Sequence, residues 1–312
     1  MSEDITDSLQ SVGDYIRWAA SRFQAAGLHY GHGTDNALDE AAALVLGVLR
    51  LPPDLHAAYL VCRLTPQERR CLVDAIEERI TQRRPVPYIL GEAWFCGLSF
   101  EIDERVLIPR SPIAELIEQG FAPWVDAERV QRVVDVGTGS GCIAIACALA
   151  LPQARVDALD IESAAVSLTA HNAARHGVSG QVYAQRSDLL EALPQTPDID
   201  LIVTNPPYVD ARAMLALPPE YAHEPRAALA AGADGMDAMR RLLPQAAQRL
   251  TASGVLVGEV GHGAAAFERA FPELPVTWVE LERGGAGVFV VEAATLRAAY
   301  PAAAAESVNQ LD

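Results

Sequence analysis

Zinc-type cysteine pairs are missing from this chain. Its five cysteines, Cys62, Cys71, Cys96, Cys142 and Cys147, form no CxxC pair and no Cys/His spacing suited to zinc, so no metal site is expected. An odd, scattered set in a long acidic chain reads as reduced, buried thiols rather than a disulfide framework. A secretory start is missing as well: Ser2-Glu3-Asp4 stands where a signal peptide would be basic and then apolar. The longest apolar run, Cys142 to Leu151, falls well short of the roughly 20 residues a membrane span needs. These absences predict a soluble, cytoplasmic protein without membrane contact. Basic residues are few, 24 Lys and Arg against 41 Asp and Glu, for a net charge of −17. Such a surface repels a phosphate backbone and attracts a basic protein. With aromatics at only 6 %, no basic, aromatic-rich segment is present for direct sequence-specific contact with nucleic acid.

What is present is apolar mass. Half of the 312 residues are hydrophobic, enough for one large core and a smaller one. Residues 1–84 read as a small helical domain for substrate recognition, without a catalytic constellation. Asp7-Ser8 can cap a first segment with Val12, Ile16 and Ala19-Ala20 on one face. A second segment runs from Ala37 to Leu51 and stops at Pro52-Pro53. The third opens at Thr65-Pro66-Gln67-Glu68, where Thr caps, Pro takes the first turn and Glu68 completes a capping box. Residues 85–112 carry Pro85, Pro87, Gly91, Gly97 and Pro109 between short β-like pieces such as Leu98–Ile102, and read as a β-hairpin connector.

From Val130 strands and helices alternate, which predicts parallel βαβ units in a domain over 113–298. Strands are expected at Arg132–Val136, Arg155–Asp160, Gln181–Arg186, Ile199–Thr204 and Gly254–Val260. Val276–Glu282 and Gly287–Val291 could form an antiparallel pair at the sheet edge. The fold class is therefore α/β, a Rossmann-like sheet, mostly parallel with an antiparallel edge. The tail, 299–312, is Ala-rich and polar and is expected to fray.

The first of these strands opens through Val136-Gly137-Thr138-Gly139-Ser140-Gly141 into an apolar helix. Glycines there allow tight turns and close ligand approach, and a helix N-terminus supplies N–H donors. The third position of a dinucleotide fingerprint is Cys142, which argues against a dehydrogenase. Asp135 can accept a hydrogen bond or face a ligand ammonium group. Asp160, ending the second strand, can take both hydroxyls of a ribose, and Asp188 is placed to meet an adenine amino group. The fourth strand ends in Asn205-Pro206-Pro207-Tyr208. Two prolines fix the backbone and remove its donors, so the Asn205 oxygen and a main-chain carbonyl can face a substrate –NH2 while Tyr208 offers a flat surface.

The glycine turn, the acid after the second strand and the NPPY tetrapeptide together resemble class I methyltransferases acting on planar amino groups. Within these, the chain is similar to the release-factor and ribosomal-protein glutamine methyltransferases over nearly its whole length. Where release-factor enzymes read IPRPET, this chain reads Ile108-Pro109-Arg110-Ser111-Pro112-Ile113, like the branch acting on large-subunit ribosomal protein three. Glu224-Pro225-Arg226-Ala227-Ala228-Leu229 also matches the wider family. The resemblance implies S-adenosyl-L-methionine as cofactor, held by Asp135, Gly137, Thr138, Gly139, Ser140, Gly141, Asp160, Asp188, Leu189 and Asn205. Release-factor enzymes often carry an aromatic near the Leu189 position. The resemblance further implies Asn205, Pro206 and Tyr208 as catalytic residues. With Pro207 and Arg110 they would hold the substrate, a basic ribosomal protein or, alternatively, a release factor. Methyl transfer to an amide nitrogen needs no metal, and His223 and His262 read as surface or packing histidines rather than bases. Two other readings are adenine methylation of nucleic acid, which the acidic charge disfavours, and a cofactor-binding scaffold without turnover.

Overall fold

A computed structural model describes residues 2–301, so most of the expected tail lies outside the described residues. The chain forms two compact units, Met1–Arg110 with Ala216–Ala228, and Ser111–Leu215 with Leu229–Asp312.

The first unit begins with helices α1 (Ser2–Ser8), α2 (Val12–Ala25), α3 (Ala37–Val48), α4 (Pro66–Thr81) and α5 (Val86–Leu90), then a hairpin of β1 (Glu92–Phe95) and β2 (Leu98–Glu101). The start of α2 differs from expectation. Asp7 and Ser8 belong to α1, and Ser11 is the cap: its Oγ accepts the Asp14 N–H at 3.2 Å while the Asp14 carboxylate accepts the Ser11 N–H at 2.9 Å. Thr65 and Glu68 form the predicted box at the start of α4. Val12, Tyr15, Ala19 and Phe23 of α2 pack with Leu44, Val45, Leu72 and Ile76 of α3 and α4 in one core. Each large side chain buried there contributes about 1.5–3 kcal/mol.

Segment 216–228 returns to this unit through buried charges. Arg79 is fully buried beside Glu40 at 3.1 Å and Glu220 at 3.7 Å. Glu220 also accepts the His29 N–H at 2.8 Å and pairs with Arg83 at 3.0 Å. Burial raises the Glu40 carboxyl to about 7, against the pull of Arg79.

The second unit is a seven-stranded sheet. Its elements in chain order are α6 (Ala114–Glu118), β3 (Arg132–Val136), α7 (Cys142–Ala150), β4 (Arg155–Asp160), α8 (Ser163–Arg175), β5 (Val182–Arg186), β6 (Ile199–Thr204), α9 (Ala211–Ala216, at the passage into the first unit), α10 (Asp237–Arg249), β7 (Leu250–Glu259), α11 (Ala264–Ala270), β8 (Thr277–Trp278), β9 (Val288–Glu292) and α12 (Ala293–Ala299). The strand order is β5-β4-β3-β6-β7-β9-β8. The β3–β7 strands pair in parallel, and β9 and then β8 add antiparallel. Consecutive strands run one way from β3 and the other way from β6, so the order switches between these two, where open α/β sheets bind ligands at the carboxyl ends.

Three expectations need correction. Strand β7 begins at Leu250 rather than Gly254, because a register shift against β6 between Ile199 and Leu201 lets pairing resume upstream. Strand β8 holds only Thr277–Trp278 of the expected Val276–Glu282. The Glu115 carboxylate takes the Glu282 and Arg283 N–H groups at 2.8 and 3.0 Å, drawing that backbone off the edge. None of the cysteines forms a disulfide; only Cys142 and Cys147, on the packed face of α7, are buried, and Cys62 and Cys71 are exposed. Among the described residues no helix is long and apolar enough to cross a membrane.

Candidate active site

Strand β3 is buried apolar backbone, and it stops where glycines begin. Gly137, Gly139 and Gly141 have φ of +77°, +57° and +84°, the left-handed region that disfavours side chains. The turn is anchored on both sides. Gly137 and Thr138 donate N–H bonds to the Leu159 carbonyl at 2.8 and 2.9 Å. From α8, Thr169 Oγ1 donates to the Gly139 carbonyl at 3.1 Å and Asn172 Nδ2 to the Ser140 carbonyl at 2.8 Å. A β-carbon on Gly141 would meet Thr169 at 2.8 Å, whereas one on Gly139 would have nothing within 4 Å. The Gly139 flank is open space. Asp160 closes the turn: Oδ2 accepts the Gly139 N–H and Oδ1 the Glu162 N–H, both at 2.9 Å. Burial raises its pKa, and those backbone bonds oppose the rise.

Asp135 takes the first of its two predicted roles. Its Oδ2 accepts from Thr138 Oγ1 at 2.6 Å and from the Ala144 N–H at 3.1 Å, tying the strand to the first turn of α7. Its Oδ1 is buried without a hydrogen-bond partner, and burial raises the carboxyl to about 7. Asp188 is paired with Arg241 at 2.7 Å, and Leu189 adopts φ +51° while packing on the sheet's core.

The NPPY segment follows β6, the parallel neighbour of β3. Val136 and Thr204 are register partners, and Thr204 Oγ1 donates to the Val136 carbonyl at 2.9 Å. Asn205 therefore begins beside Gly137. Its Oδ1 is buried and has no hydrogen-bond partner, a condition that costs roughly 1–3 kcal/mol until a donor arrives. Pro206 is buried and Pro207 half-buried. The Tyr208 ring lies on Gly261, where a β-carbon would come within 2.7 Å of it, and the Tyr208 carbonyl lies on Gly235, where one would come within 2.4 Å. Tyr208 donates its O–H to Glu259 Oε1 at 3.2 Å, and Ser111 Oγ donates to Glu259 Oε2 at 2.5 Å. Glu259 and Ser111 are site neighbours that sequence reasoning missed. The available signal was a carboxylate ending the apolar strand β7.

The methyltransferase small domain matches residues 119–232, a range holding both the glycine turn and the NPPY segment. The ribosomal protein uL3 glutamine methyltransferase of Bordetella pertussis is 50 % identical over 90 % of this chain and 94 % of its own length. That of Francisella tularensis subsp. tularensis is 42 % identical over 93 % and 92 %. The chain belongs to the ribosomal protein uL3 glutamine methyltransferase family. Among solved structures it is similar to the ribosomal protein L11 methylase of Lactobacillus delbrueckii subsp. bulgaricus, at 22 % identity and a TM-score of 0.37 over 56 % of this chain and 74 % of that one. Methyltransferases of this family and fold use S-adenosylmethionine, and the residues present fit that group. The Gly139 flank is unobstructed, and Ser140 Oγ and Asn205 Oδ1 are buried polar atoms without partners. The Asp160 oxygens, which accept backbone N–H groups, keep lone pairs for hydroxyls.

In this family member Arg110 is not an open cation. It ends the first unit, where Nη1 and Nη2 bind Glu224 at 2.6 and 2.7 Å and the guanidinium lies 5.7 Å from the Tyr221 ring centroid. Arg110, which the resemblance assigns to substrate binding, is thus placed in an ion pair with Glu224. Burial pushes the Glu224 carboxyl up, but its bonds prevail and hold it at about 2. His32, whose Nε2 stands 3.6 Å away, and the bidentate Arg110 guanidinium together carry this effect, while burial lowers the pKa of His32 itself. The same unit holds a cavity of 770 Å³ whose lining includes Asp39, Glu40, Glu92, Leu46, Leu90 and Trp94.

Proposed function

We propose that this enzyme transfers a methyl group from S-adenosylmethionine to the side-chain amide nitrogen of a glutamine in large-subunit ribosomal protein three, in the cytoplasm. The observation that carries the reading is the buried, unpartnered Asn205 Oδ1 beside the glycine turn. The cofactor supplies an electrophilic methyl on a sulfonium sulfur. The glycine turn, Ser140 and Asp160 bind the adenosyl and amino-acid parts of that group, with Asp160 on the ribose hydroxyls. Asp188 is assigned to the adenine edge once Arg241 yields, and Leu189 to its face.

The difficulty lies in the nucleophile, because an amide nitrogen shares its lone pair with its carbonyl. Positive charge builds on that nitrogen as the bond to carbon forms. Asn205 Oδ1 accepts one of its N–H bonds, and Pro206 and Pro207 keep competing backbone donors out. Tyr208 stacks on the amide plane. Removing one such preorganised partner typically costs about 3–4 kcal/mol, and orientation in line contributes about 7–11 kcal/mol. No general base is required, since the charged product loses its proton to water.

Substrate recognition is assigned to the first unit, whose cavity places Asp39 and Glu92 around an apolar lining. A basic ribosomal protein suits that acidity, as it suits the net charge of −17. The test is incubation with isotopically labelled cofactor and purified ribosomal protein uL3, a release factor, RNA or DNA, followed by mass mapping. A single methylated glutamine in uL3 is expected. Label confined to the release factor, or found in nucleic acid, overturns the substrate.

A further inference from the structure

Ser111, Glu259 and Tyr208 form a hydrogen-bonded line within the second unit that nothing in the transfer step accounts for. Ser111 and Glu259 are 6 % and 4 % exposed. The Ile113 N–H donates to Ser111 Oγ at 3.2 Å, Ser111 donates to Glu259 Oε2 at 2.5 Å, and Tyr208 donates to Glu259 Oε1 at 3.2 Å. The direction of each proton follows from the partners. Ser111 Oγ accepts from a backbone N–H, so its own proton is left for the carboxylate. Each oxygen of Glu259 receives a different hydroxyl. The backbone at Tyr208 is fixed by Gly235, which leaves no room beside its carbonyl, while Gly261 lies under the ring. The phenolic anchor then decides where the ring plane lies.

We propose that Ser111 is a specificity-determining positioning residue: through Glu259 it sets the tilt of the Tyr208 ring against the methyl-accepting amide. The proposal rests on the assignment of Asn205–Tyr208 as the amide clamp. Glu259 receives both hydroxyls and acts through Tyr208. It also gives chemical content to the stretch that follows Arg110. A proline at position 111, as in the IPRPET pattern of release-factor enzymes, has no hydroxyl to offer Glu259. The carboxylate would lose one donor, and the ring would settle differently over the same Asn-Pro-Pro backbone. Two enzymes with one clamp could thereby fit glutamines in different surroundings.

The experiment compares Ser111→Ala, Ser111→Thr, Tyr208→Phe and the Ser111→Ala/Tyr208→Phe pair in the full chain. Each is assayed with cofactor and uL3, with cofactor affinity measured by calorimetry. Because the two contacts are coupled, Ser111→Ala should lower kcat/KM for the protein substrate about ten-fold. Cofactor affinity should not change. Ser111→Thr, which keeps the hydroxyl, should recover most of the rate, and in the Tyr208→Phe background Ser111→Ala should add no further loss. Full activity of Ser111→Ala, or an equal loss in both backgrounds, overturns the proposal. Urea midpoints of the same four proteins provide a second double-mutant cycle that needs no turnover. Non-additive midpoints support the Ser111–Tyr208 link, and additive ones reject it. A wild-type enzyme that methylates no glutamine overturns the clamp assignment instead, so the two failures are distinguishable.

Discussion

A β-carbon on Gly137 would stand 3.9 Å from the Asn205 carbonyl oxygen: the turn after β3 and the first residue after β6 face each other at the switch in strand order. The contact is enforced one residue earlier, where the buried Thr204 hydroxyl bonds the Val136 carbonyl across the ladder. A ligand lying on the glycine turn thus reaches Asn205 without any movement of the sheet.

Asn205→Ala tests that geometry most directly. Its Oδ1 is buried without a partner, so truncation removes an acceptor that stabilises nothing in the free protein. Transfer should fall by about 10²–10³ in kcat, while the melting temperature stays level or rises. A coupled fall in stability and activity would instead mark Asn205 as a packing residue.

Two glycines of the turn, Gly141 and Gly139, should respond differently to alanine. At Gly141 the new methyl would press on Thr169 at 2.8 Å with φ +84°. Steric overlap adds to a left-handed cost of about 1–2 kcal/mol, so Gly141→Ala should lower the melting temperature. Gly139 meets nothing within 4 Å. Gly139→Ala should carry only the backbone cost, yet weaken cofactor binding because the methyl enters the open flank. Paired thermal melts and calorimetry separate the two effects.

Much of the sheet was legible because its strands are uninterrupted buried runs. Val133-Val134 and Leu201-Ile202-Val203 announce β3 and β6, and glycine and proline mark where they stop. Edges were less legible. Whether β8 continues past Trp278 depends on Glu115 capturing two distant backbone amides, a tertiary fact without a local signature. The site divides in the same way. Gly137–Gly141, Asp160 and Asn205 stand at strand ends, which converge once β3 and β6 are neighbours. Ser111 and Glu259 lie 148 residues apart, and the ion pair of Arg110 depends on Glu224, which arrives from the returning segment 216–228.

That pairing has a pH signature. Glu224 is held at about 2 against an ordinary 4.5, so the native state binds fewer protons than the unfolded chain over this interval. The stabilisation is complete above 4.5 and is lost as pH falls through about 2. Arg110→Ala leaves the buried carboxylate short of its main partner, a change that costs about 3–5 kcal/mol. Urea unfolding at pH 7 should show that loss, and the variant's stability should change less than the wild type's as the pH is lowered. Parallel curves for the two proteins would remove the ion pair from the account.

Asp135 has the opposite sign. Burial raises its carboxyl from 3.8 to about 7, so the folded state keeps a proton that the unfolded chain has already released. This contribution is complete below 3.8 and is lost as pH rises through about 7. Asn at this position keeps an acceptor for the Thr138 hydroxyl and the Ala144 N–H but cannot ionise. Asp135→Asn should therefore gain stability relative to the wild type as pH rises. At about 1.4 kcal/mol per unit the difference is bounded near about 4 kcal/mol. Urea unfolding of both cofactor-free proteins between about pH 4 and about pH 8 measures it. A constant difference over that range would mean that Asp135 is ionised in the folded protein and that the first turn of α7 is capped by a full negative charge.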